Sequence, residues 1–484
     1  MPGEKPNVLF ILTDDQGAWA LRCAGNGDVH TPVLDSLAQR GVRFENFFCA
    51  SPVCSPARAS ILTGRIPSAH GVHDWIRSGN LDRDRLGSMM SDPYYAAEDK
   101  AIGYLDGMIT YTDVLQENGY RCALAGKWHL GDSIRPQHGF EKWFTIGRGG
   151  CYYNKADIVE NGEIQFESQY ITDVITEKAI EFIDEFAGGE NPFYISVHYT
   201  APHDPWDEDQ HPKKYVEMYR DCEFKATPDL PVHPNQIPSA PTGTGETRKS
   251  LLRGYYAAIT AMDANVGRLL SKLAEKGLEE NTIVIFMSDN GMNMGHHGIW
   301  GKGNGTFPFN MYDTAVKVPL IVSWPGHYLE GSVSEYMCSQ YDFFQTILDM
   351  TGINADLPDG LPGESFAGVF EGKEPKEKPV VIFDEYGPTR MIRTKEWKYV
   401  LRIPYGPDEL YHLTEDPDEE NNLIQCAEYE DLRAELKHCL VSWFAEYADP
   451  SVDASREGVT GFGQLCRPGI YSQGRKTFSD APKR

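Results

Sequence analysis

Two short apolar runs, far apart in the chain, both end in acidic side chains. Residues 7–13 (NVLFILT) are followed by two aspartates, and residues 282–287 (TIVIFM) are followed by Ser-Asp-Asn. Continuous apolar runs of this length are typical of strands that are buried on both faces of a parallel sheet. Such runs alternate with stretches of helical periodicity along most of the chain. The sequence therefore predicts an α/β fold with a large, mixed or mostly parallel sheet flanked by helices.

The composition of the chain changes near residue 371. A charged, proline-bearing stretch at 371–379 (EGKEPKEKP) precedes hairpin-like segments, one helix and a glycine-rich tail. A chain of 484 residues is also too long for one ordinary core. We therefore predict a catalytic domain over residues 1–375 and a C-terminal subdomain over residues 376–484, with a small antiparallel sheet, a helix and the tail.

The overall charge limits the partners of the chain. It has 45 lysines and arginines against 71 aspartates and glutamates, which gives a formal net charge of −26. This balance argues against a nucleic acid or an anionic membrane as a partner, so any anion site must be basic only locally. The N-terminal apolar run is too short for a signal peptide, and the ten cysteines form no C-x-x-C pair. We expect a cytoplasmic protein with reduced thiols.

The stretch 51–64 (SPVCSPARASILTG) places a cysteine just before a predicted helix. Ser55 is a good N-cap, Pro56 suits the first helical position, and the final glycine is a stop. Cys54 would then lie at a helix N-terminus, which favours an anion, and Arg58 would project from the same side of the first turn. Taken alone, a lone cysteine at such a place is most often buried and inert. Together, these groups favour an oxyanion such as sulfate or phosphate.

The order Cys-Ser-Pro-Ala-Arg, closed by Thr-Gly, resembles the C-x-P-[S/A]-R…T-G signature of the type I, formylglycine-dependent sulfatases of the alkaline-phosphatase-like superfamily. The resemblance implies that a formylglycine-generating maturation enzyme oxidises Cys54 to an aldehyde, which is hydrated in the resting enzyme. One hydroxyl of the diol attacks sulfur, and the other then expels inorganic sulfate. It also implies the alkaline-phosphatase-like fold and an arylsulfatase-like, sulfuric ester hydrolase activity.

Four oxygen-bearing side chains follow the two apolar runs, at what should be one carboxyl edge of the sheet. Asp14, Asp15, Asp289 and Asn290 are hard ligands, suited to Ca²⁺ or Mg²⁺ and poorly suited to zinc. Either pair alone is an ordinary turn former. The resemblance implies that all four, with the formylglycine oxygen at Cys54, hold one divalent cation. We expect calcium, with magnesium as the alternative.

Two further motifs are similar to conserved stretches of the family. Gly-Lys-Trp-His-Leu-Gly at 126–131 implies that Lys127 contacts the sulfate and that His129 contacts a formylglycine hydroxyl. His203, in Ala-Pro-His, is implied to protonate the leaving alcohol, a role that suits histidine because it titrates near neutral pH. His198 is the competing candidate, with a structural role as the other interpretation.

Lys302, in Gly-Lys-Gly, matches the family lysine that bridges the sulfate and the leaving group. The family places it a few residues before a Tyr-Glu pair, whereas here Tyr312 and Asp313 follow ten residues on. His297, in His-His-Gly, is another candidate contact. From Arg393 onward, R-T-x-x-x-K-Y and E-L-Y-x-L-x-x-D-P resemble landmarks of the family's C-terminal subdomain. The resemblance thus covers nearly the whole chain.

The sequence thus predicts hydrolysis of an aryl, steroid or carbohydrate sulfate monoester, and a small sulfated molecule is the expected partner. A phosphonate monoester or phosphodiester hydrolase on the same scaffold is the alternative enzyme, because these esters also carry one negative charge. A non-catalytic binder of sulfated ligands would follow if Cys54 is not oxidised. Candidates for the leaving-group pocket are Trp75, Tyr94, Tyr95, Trp206, His70 and His73.

Overall fold

Strands and helices alternate through most of the chain. The computed structural model describes residues 5–238, 240–373 and 382–481. Its strands are β1 (Asn7–Thr13), β2 (Val42–Phe48), β3 (Arg121–Lys127), β4 (Phe140–Ile146), β5 (Ala156–Glu160), β6 (Glu163–Glu167), β7 (Phe193–His198), β8 (Thr282–Ser288), β9 (Asn293–Met294), β10 (Trp300–Gly301), β11 (Leu320–Ser323), β12 (Ser332–Ser339), β13 (Ile382–Tyr386), β14 (Thr389–Arg393), β15 (Trp397–Arg402) and β16 (Glu409–His412). Its α-helices are α1 (Pro32–Gln39), α2 (Cys54–Thr63), α3 (Pro67–His70), α4 (Tyr111–Glu117), α5 (Ile171–Phe186), α6 (Lys213–Glu217), α7 (Gly245–Glu275), α8 (Asp313–Val316), α9 (Phe343–Met350) and α10 (Glu430–Tyr447).

Ten strands form one large sheet in the order β12-β2-β11-β8-β1-β7-β3-β4-β5-β6. At its centre, β8, β1, β7, β3 and β4 run parallel to one another. By contrast, β11 is antiparallel to both of its neighbours, and the β5–β6 hairpin forms one edge. Parallel neighbours require long crossovers, which the helices supply. The predicted mixed sheet is confirmed, and the predicted strand at 7–13 has the bounds of β1.

The large sheet separates two apolar cores. Alternate side chains of β1 point to opposite faces, so Leu9 and Ile11 pack with α1, α5 and α7, while Val8, Phe10 and Leu12 pack with α2, α4 and α9. All five side chains are 1 % exposed or less. Burial on both faces explains why the sequence of β1 is a continuous apolar run. Helices on both faces confirm the predicted α/β architecture of a large sheet flanked by helices.

The longest helix, α7, spans 31 residues and lies along one face of the sheet. It extends the predicted helical segment at its N-terminal end, where a glycine and polar residues give little periodic signal. Its solvent side carries many charged residues. Within the described ranges, every helix is too short or too polar to cross a membrane.

The C-terminal region has its own sheet. Strands β13, β14, β15 and β16 form a four-stranded antiparallel meander. Helix α10 covers one face, where Leu440 and Phe444 share an apolar cluster with Ile392 and Leu410. The small antiparallel sheet with one helix is therefore confirmed. The predicted domain boundary at residue 375 falls outside the described residues, so the division into domains stays a prediction.

Helix α2 begins earlier than the sequence predicts. The expected N-cap, Ser55, lies inside the helix, which starts at Cys54 after an extended Val53. The cap prediction was wrong because the Ser55 hydroxyl accepts a hydrogen bond from the Ile76 N–H, at 3.1 Å, and so serves a distant segment. The predicted end is confirmed, since Gly64 follows the helix in the left-handed conformation that glycine favours, with φ of 67°.

Candidate active site

The ends of β1 and β8 meet at one edge of the large sheet. Thr13 is paired with the last residue of β8 in the parallel register, so Asp14 and Asp289 emerge side by side. The Asp289 N–H donates to the Thr13 carbonyl at 3.1 Å. The Asp15 N–H donates to Asp289 Oδ1 at 3.3 Å. The strand register therefore brings the two acidic motifs together, as expected for the carboxyl edge of parallel strands.

The acidic cluster has the composition of a site for a hard cation. Carboxylate oxygens of Asp14 and Asp15 and a ring nitrogen of His203 all lie within 4.8 Å of one another. Asp14 Oδ1 and Asn290 Oδ1 are buried and have no hydrogen-bond partner among the described residues. The Asn290 Nδ2 group donates to Asp15 Oδ1 at 2.8 Å, so the Asn290 Oδ1 atom takes no part in that hydrogen bond. Unpartnered buried oxygens beside carboxylates fit a divalent cation of the calcium or magnesium type.

Among the described contacts, Asp289 accepts more hydrogen bonds from protein groups than the other candidate ligands do. Arg58 Nε donates to its Oδ2 at 2.8 Å, and both side chains are almost completely buried. Its Oδ1 also accepts from the Asn290 N–H at 2.7 Å. Burial, together with the negative charge of Asp14, raises the pKa of Asp289 despite this arginine. Oδ1 thus accepts two hydrogen bonds, whereas Oδ2 accepts one from Arg58 and keeps a second lone pair for a cation.

Two lysines neutralise the two aspartates that follow β1. Lys127 Nζ pairs with Asp14 Oδ2, and Lys302 Nζ lies 2.5 Å from Asp15 Oδ1. Burial opposes ionisation of both carboxyls, but the neighbouring ammonium groups outweigh it and lower the pKa of Asp14 and of Asp15. Burial likewise works against the charge of Lys302, yet the nearby acids raise its pKa well above the usual value. The edge therefore holds compensated ion pairs.

Cys54 lies among these charges. As the first residue of α2 it is 2 % exposed, and its Sγ is 3.6 Å from Lys302 Nζ. Burial raises the pKa of the Cys54 thiol, even though Lys127 and Lys302 act in the opposite direction. The unmodified side chain is therefore a protonated thiol at neutral pH, which is a poor nucleophile.

Arg58 connects helix α2 to the carboxyl edge. Besides its bond to Asp289, its Nη1 donates to the Lys127 carbonyl at 2.8 Å. Its Nη2 is buried and has no partner among the described residues. A guanidinium that is fixed at two points and keeps one buried donor is well placed to bind an oxyanion.

His129 lies in the loop after β3. Its Nε2 is 2.9 Å from the Ile76 carbonyl, which can only accept, so Nε2 carries the proton and Nδ1 the lone pair. Nδ1 is buried and unpartnered in the part of the chain that the structure describes. Burial, and then the charge of Lys127, hold the pKa of His129 well below its usual value. The ring is therefore neutral and offers a hydrogen-bond acceptor.

The sequence singled out His198, the last residue of β7, and His203 in the loop that follows, and His203 is the one at the acidic cluster. Its Nε2 lies 3.7 Å from Asp15 Oδ2, and its side chain is 19 % exposed. His198 is buried behind the site, with Nδ1 2.9 Å from the Lys127 carbonyl and Nε2 2.6 Å from the Ser196 hydroxyl. These contacts give His198 a supporting role for the Lys127 loop.

Several predicted pocket residues pack elsewhere. Tyr95 and Trp206 are each 2 % exposed, and Trp206 donates to the Pro202 carbonyl at 2.9 Å, so they belong to the core. His70 and His73 are also buried. Trp75, which is partly exposed and next to Ile76, is the aromatic candidate that stays at the site, while the Tyr94 side chain lies outside the described set.

His297 lies apart from the contacts described above. Its ring stacks on Tyr312, with ring centroids 3.7 Å apart, and its backbone adopts the left-handed conformation. The stacking uses the face of the ring, and its neighbours include Lys398 of the C-terminal sheet. The structure therefore gives His297 a packing role.

The loop after β4 reaches the site through its glycines, and the sequence did not predict this contact. Residues 147–150 (Gly-Arg-Gly-Gly) follow β4 and run past both site histidines. A Cβ at Gly149 would lie 2.1 Å from His129 Nε2, and one at Gly150 would lie 3.4 Å from His203 Cε1. Glycine is therefore required at position 149, because a side chain there would displace His129. A glycine-rich run directly after a parallel strand is the signal that could have identified it.

Residues 6–353 match the family model described as Sulfatase, and residues 295–445 match that of the C-terminal part of N-sulphoglucosamine sulphohydrolase. The chain belongs to the sulfatase family. The match covers most of the chain, and it confirms the predicted family and the predicted class of sulfuric ester hydrolase, which cleaves sulfate monoesters.

Individual relatives agree with this assignment. The chain is 30 % identical to an ulvan-active sulfatase of Formosa agariphila, over 92 % of this chain and 82 % of the relative. It is 27 % identical to an N-acetylglucosamine-6-O-sulfatase of Bacteroides thetaiotaomicron, over 93 % of this chain and 88 % of the relative. A solved structure in complex with its substrate D-glucosamine-2-N,6-O-disulfate superposes with a TM-score of 0.75 at 25 % identity, covering 94 % of this chain and 100 % of the other.

A phosphonate monoester hydrolase of Agrobacterium radiobacter shares the fold, with a TM-score of 0.69 at 22 % identity over 92 % of this chain and 96 % of its own. This likeness concerns the fold alone. The scaffold predicted from the resemblance is therefore present in structures of both ester classes.

Proposed function

We propose that this sulfatase removes sulfate from a carbohydrate sulfate monoester, releasing inorganic sulfate and the sugar alcohol. The observation that carries the proposal is the convergence of Cys54, Arg58, Lys127 and Lys302 with the acidic cluster at one sheet edge. Two of the relatives are named for ulvan and for N-acetylglucosamine 6-sulfate, and one similar structure holds a glucosamine disulfate. These names favour a sugar over an aryl or steroid leaving group.

The nucleophile in this proposal is formylglycine, made from Cys54 by a maturation enzyme. Formylglycine supplies a hydrated aldehyde, in which one hydroxyl attacks sulfur and the other allows the sulfate to be released without a second attack at sulfur. The cation would be held by Asp14, Asp15, Asp289 and Asn290, together with the formylglycine oxygen. A calcium ion supplies a positive charge that polarises the sulfate and acidifies the attacking hydroxyl.

The protein's own cations neutralise the sulfate. Arg58 would donate through the buried Nη2, and Lys127 and Lys302 would share their protons between the aspartates and the sulfate oxygens. His129 would take a hydroxyl proton at Nδ1, because its other nitrogen already donates to the Ile76 carbonyl. Because Arg58, Lys127 and Lys302 only match the three carboxylates in number, the bound cation would supply the net positive charge that attracts one anion into this buried niche.

His203 is the proposed acid for the leaving alcohol. Its Nδ1 lies 2.8 Å from the Asp204 carbonyl and therefore carries a proton, so a second proton at Nε2 makes the ring an imidazolium. Asp15 Oδ2 lies 3.7 Å from Nε2, and Asp204 Oδ1 lies 3.1 Å from Nδ1. Nε2 can then donate to the bridging oxygen as the ester bond breaks.

A substrate panel on matured enzyme tests the proposal. We expect the highest kcat/KM for a sulfated hexosamine, and lower values for an aryl sulfate, a steroid sulfate and an aryl phosphonate ester. A steroid or simple aryl sulfate as the best substrate would contradict the proposed leaving group. A preference for the phosphonate ester would favour the alternative enzyme, and binding of sulfated sugars without turnover, with an intact thiol at Cys54, would favour the non-catalytic binder.

A further inference from the structure

The end of the chain returns to the catalytic edge. A short segment, residues 460–466, lies beyond the residues matched by either family model, and we call it the tail clamp. It pairs in parallel with Ile76 through the backbone of Gln464. The Gln464 N–H donates to the Trp75 carbonyl, and the Arg77 N–H donates to the Gln464 carbonyl, both at 2.8 Å. Two regions almost four hundred residues apart therefore form one small ladder.

The Gln464 side chain strengthens this pairing. It is completely buried, and its Oε1 accepts from the His73 N–H at 2.8 Å and from the Asp74 N–H at 3.3 Å. Its Nε2 donates to the carbonyls of Gly71 and Cys466, each at 3.0 Å. One amide thus uses both acceptor positions and both donors. A buried polar group that is fully satisfied in this way fixes the backbone around it.

The segment held by the tail clamp touches the catalytic groups directly. The Ile76 N–H donates to Ser55 Oγ at 3.1 Å, next to Cys54. The Ile76 carbonyl accepts from His129 Nε2 at 2.9 Å, and this bond leaves Nδ1 of His129 as the free acceptor. The position of the Ile76 carbonyl therefore determines both the orientation of the His129 ring and the tautomer that the ring adopts.

The tail clamp also reaches the loop that carries Lys302. The Gly461 carbonyl accepts from Trp75 Nε1 at 3.1 Å and from Asn304 Nδ2 at 3.2 Å. Asn304 lies two residues beyond Lys302 in the sequence. One carbonyl of the tail clamp thus ties together the two loops that flank the nucleophile.

We propose that Gln464 is a positioning residue, which acts through Ile76 to hold His129 and the start of α2 in catalytic geometry. The tail clamp, which lies beyond the residues matched by the family models, then contributes to the geometry of the active site. The catalytic consequence rests on the proposed function, whereas the effect on the His129 ring does not. Displacing a catalytic group by about 1 Å can lower the rate by about 100-fold.

Three variants test the proposal. Gln464→Met keeps the size of the side chain and removes all four hydrogen bonds, and Gln464→Glu keeps the two accepted ones. Gln473→Met makes the same exchange at an exposed site of the C-terminal tail and is the matched control. The readouts are the ring ¹⁵N signals of His129, assigned with His129→Asn, and kcat/KM for 4-nitrophenyl sulfate on matured enzyme.

For Gln464→Met we expect mixed His129 tautomer signals and a kcat/KM about 10- to 100-fold lower. Gln464→Glu should fall between this variant and wild type, and Gln473→Met should match wild type in both readouts. If Gln464→Met does not fold, the same two readouts on Gln464→Glu test the proposal.

A folded Gln464 variant with wild-type ring signals, or with wild-type kcat/KM, would overturn the positioning role. Wild-type enzyme that cleaves no sulfate ester would instead overturn the proposed function, and the ring signals would still decide whether Gln464 positions His129.

Discussion

Asp14 and Asp74 are equally buried, yet their carboxyl groups are held in opposite ways. Asp14 faces Lys127, and this charge, acting against burial, lowers the pKa of Asp14. Asp74 accepts hydrogen bonds from neutral donors, the Tyr386 hydroxyl and the Gly463 N–H, and burial raises the pKa of Asp74 to about 6. The sheet edge therefore keeps Asp14 and Asp15 charged through their ion pairs, whereas the loop region beside the tail clamp uses the Asp74 carboxyl group to build structure.

The two regions also differ in how they are positioned. Asp14 and Asp289 follow two strands whose register places them side by side. Asp74 belongs to a loop whose position depends on contacts with the C-terminal sheet and with the tail clamp. Changes at the sheet edge should therefore affect catalysis strongly, and changes in the loop region should affect stability and geometry.

The largest expected effect is at the nucleophile. Cys54→Ala should lower kcat by about 10⁴-fold or more, because removal of a covalent nucleophile leaves only binding and electrostatic catalysis. Steady-state kinetics on a sulfated hexosamine measures this loss, and Cys439→Ala, at an exposed cysteine, is the matched control. Near wild-type turnover by Cys54→Ala would show that the reaction does not take place at the sheet edge.

The next effect depends on the leaving group. His203→Ala should lower kcat/KM by about 10²- to 10⁴-fold for a sugar sulfate, whose alcohol must be protonated as it leaves. The loss should be much smaller for 4-nitrophenyl sulfate, since that phenolate leaves without a proton. His327→Ala, at an exposed histidine, should have no effect on either substrate. Equal losses for both substrates would exclude the acid role.

A smaller effect is expected on cation affinity. Asn290→Ala removes a buried, unpartnered oxygen and should weaken calcium binding by about 10- to 100-fold. Titration calorimetry of the wild type, Asn290→Ala and the exposed control Asn421→Ala measures the difference, and magnesium serves as the competing ion. Calcium binding with unchanged affinity in Asn290→Ala would place the cation elsewhere.

The last prediction separates the two kinds of carboxyl group by pH. The pKa of Asp74 is raised from 3.8 to about 6, so the unfolded chain loses this proton at lower pH than the folded protein does. As the pH rises from 4 to 6, the free energy of unfolding should therefore fall, by up to about 3 kcal/mol from this group.

Asp74→Asn lacks this titration, so its stability should decline less over the same range. Urea unfolding at several pH values measures the difference from wild type, with Asp480→Asn at an exposed tail position as the control. Identical pH dependence in wild type and Asp74→Asn would show that Asp74 is not held as described.

The difference between the sheet edge and the loop region also explains which residues could be placed from the sequence. Residues that follow buried strands, such as Asp14 and Asp289, could be placed because an apolar run predicts a strand and parallel strands share a carboxyl edge. Cys54 and His129 were identified from the resemblance to a family. The fold of the central sheet followed from the same apolar runs.

Other parts depend on contacts that no local pattern encodes. The N-cap prediction at Ser55 was wrong because Ile76 engages its hydroxyl, and Trp206 was expected in the pocket but packs in the core. The role of Gln464 requires knowing that it meets His73 and Asp74, which precede it by about four hundred residues. Loop residues fixed by long-range hydrogen bonds have no periodicity to reveal them.

The most direct test of the central claim is turnover measured against the fraction of Cys54 that has been oxidised. Protein expressed with increasing amounts of a maturation enzyme is analysed by mass spectrometry of the peptide that contains Cys54, and sulfate release is measured on the same samples. We predict that turnover per molecule rises in proportion to the converted fraction and approaches zero for the intact thiol. Turnover that is independent of the converted fraction would contradict the claim.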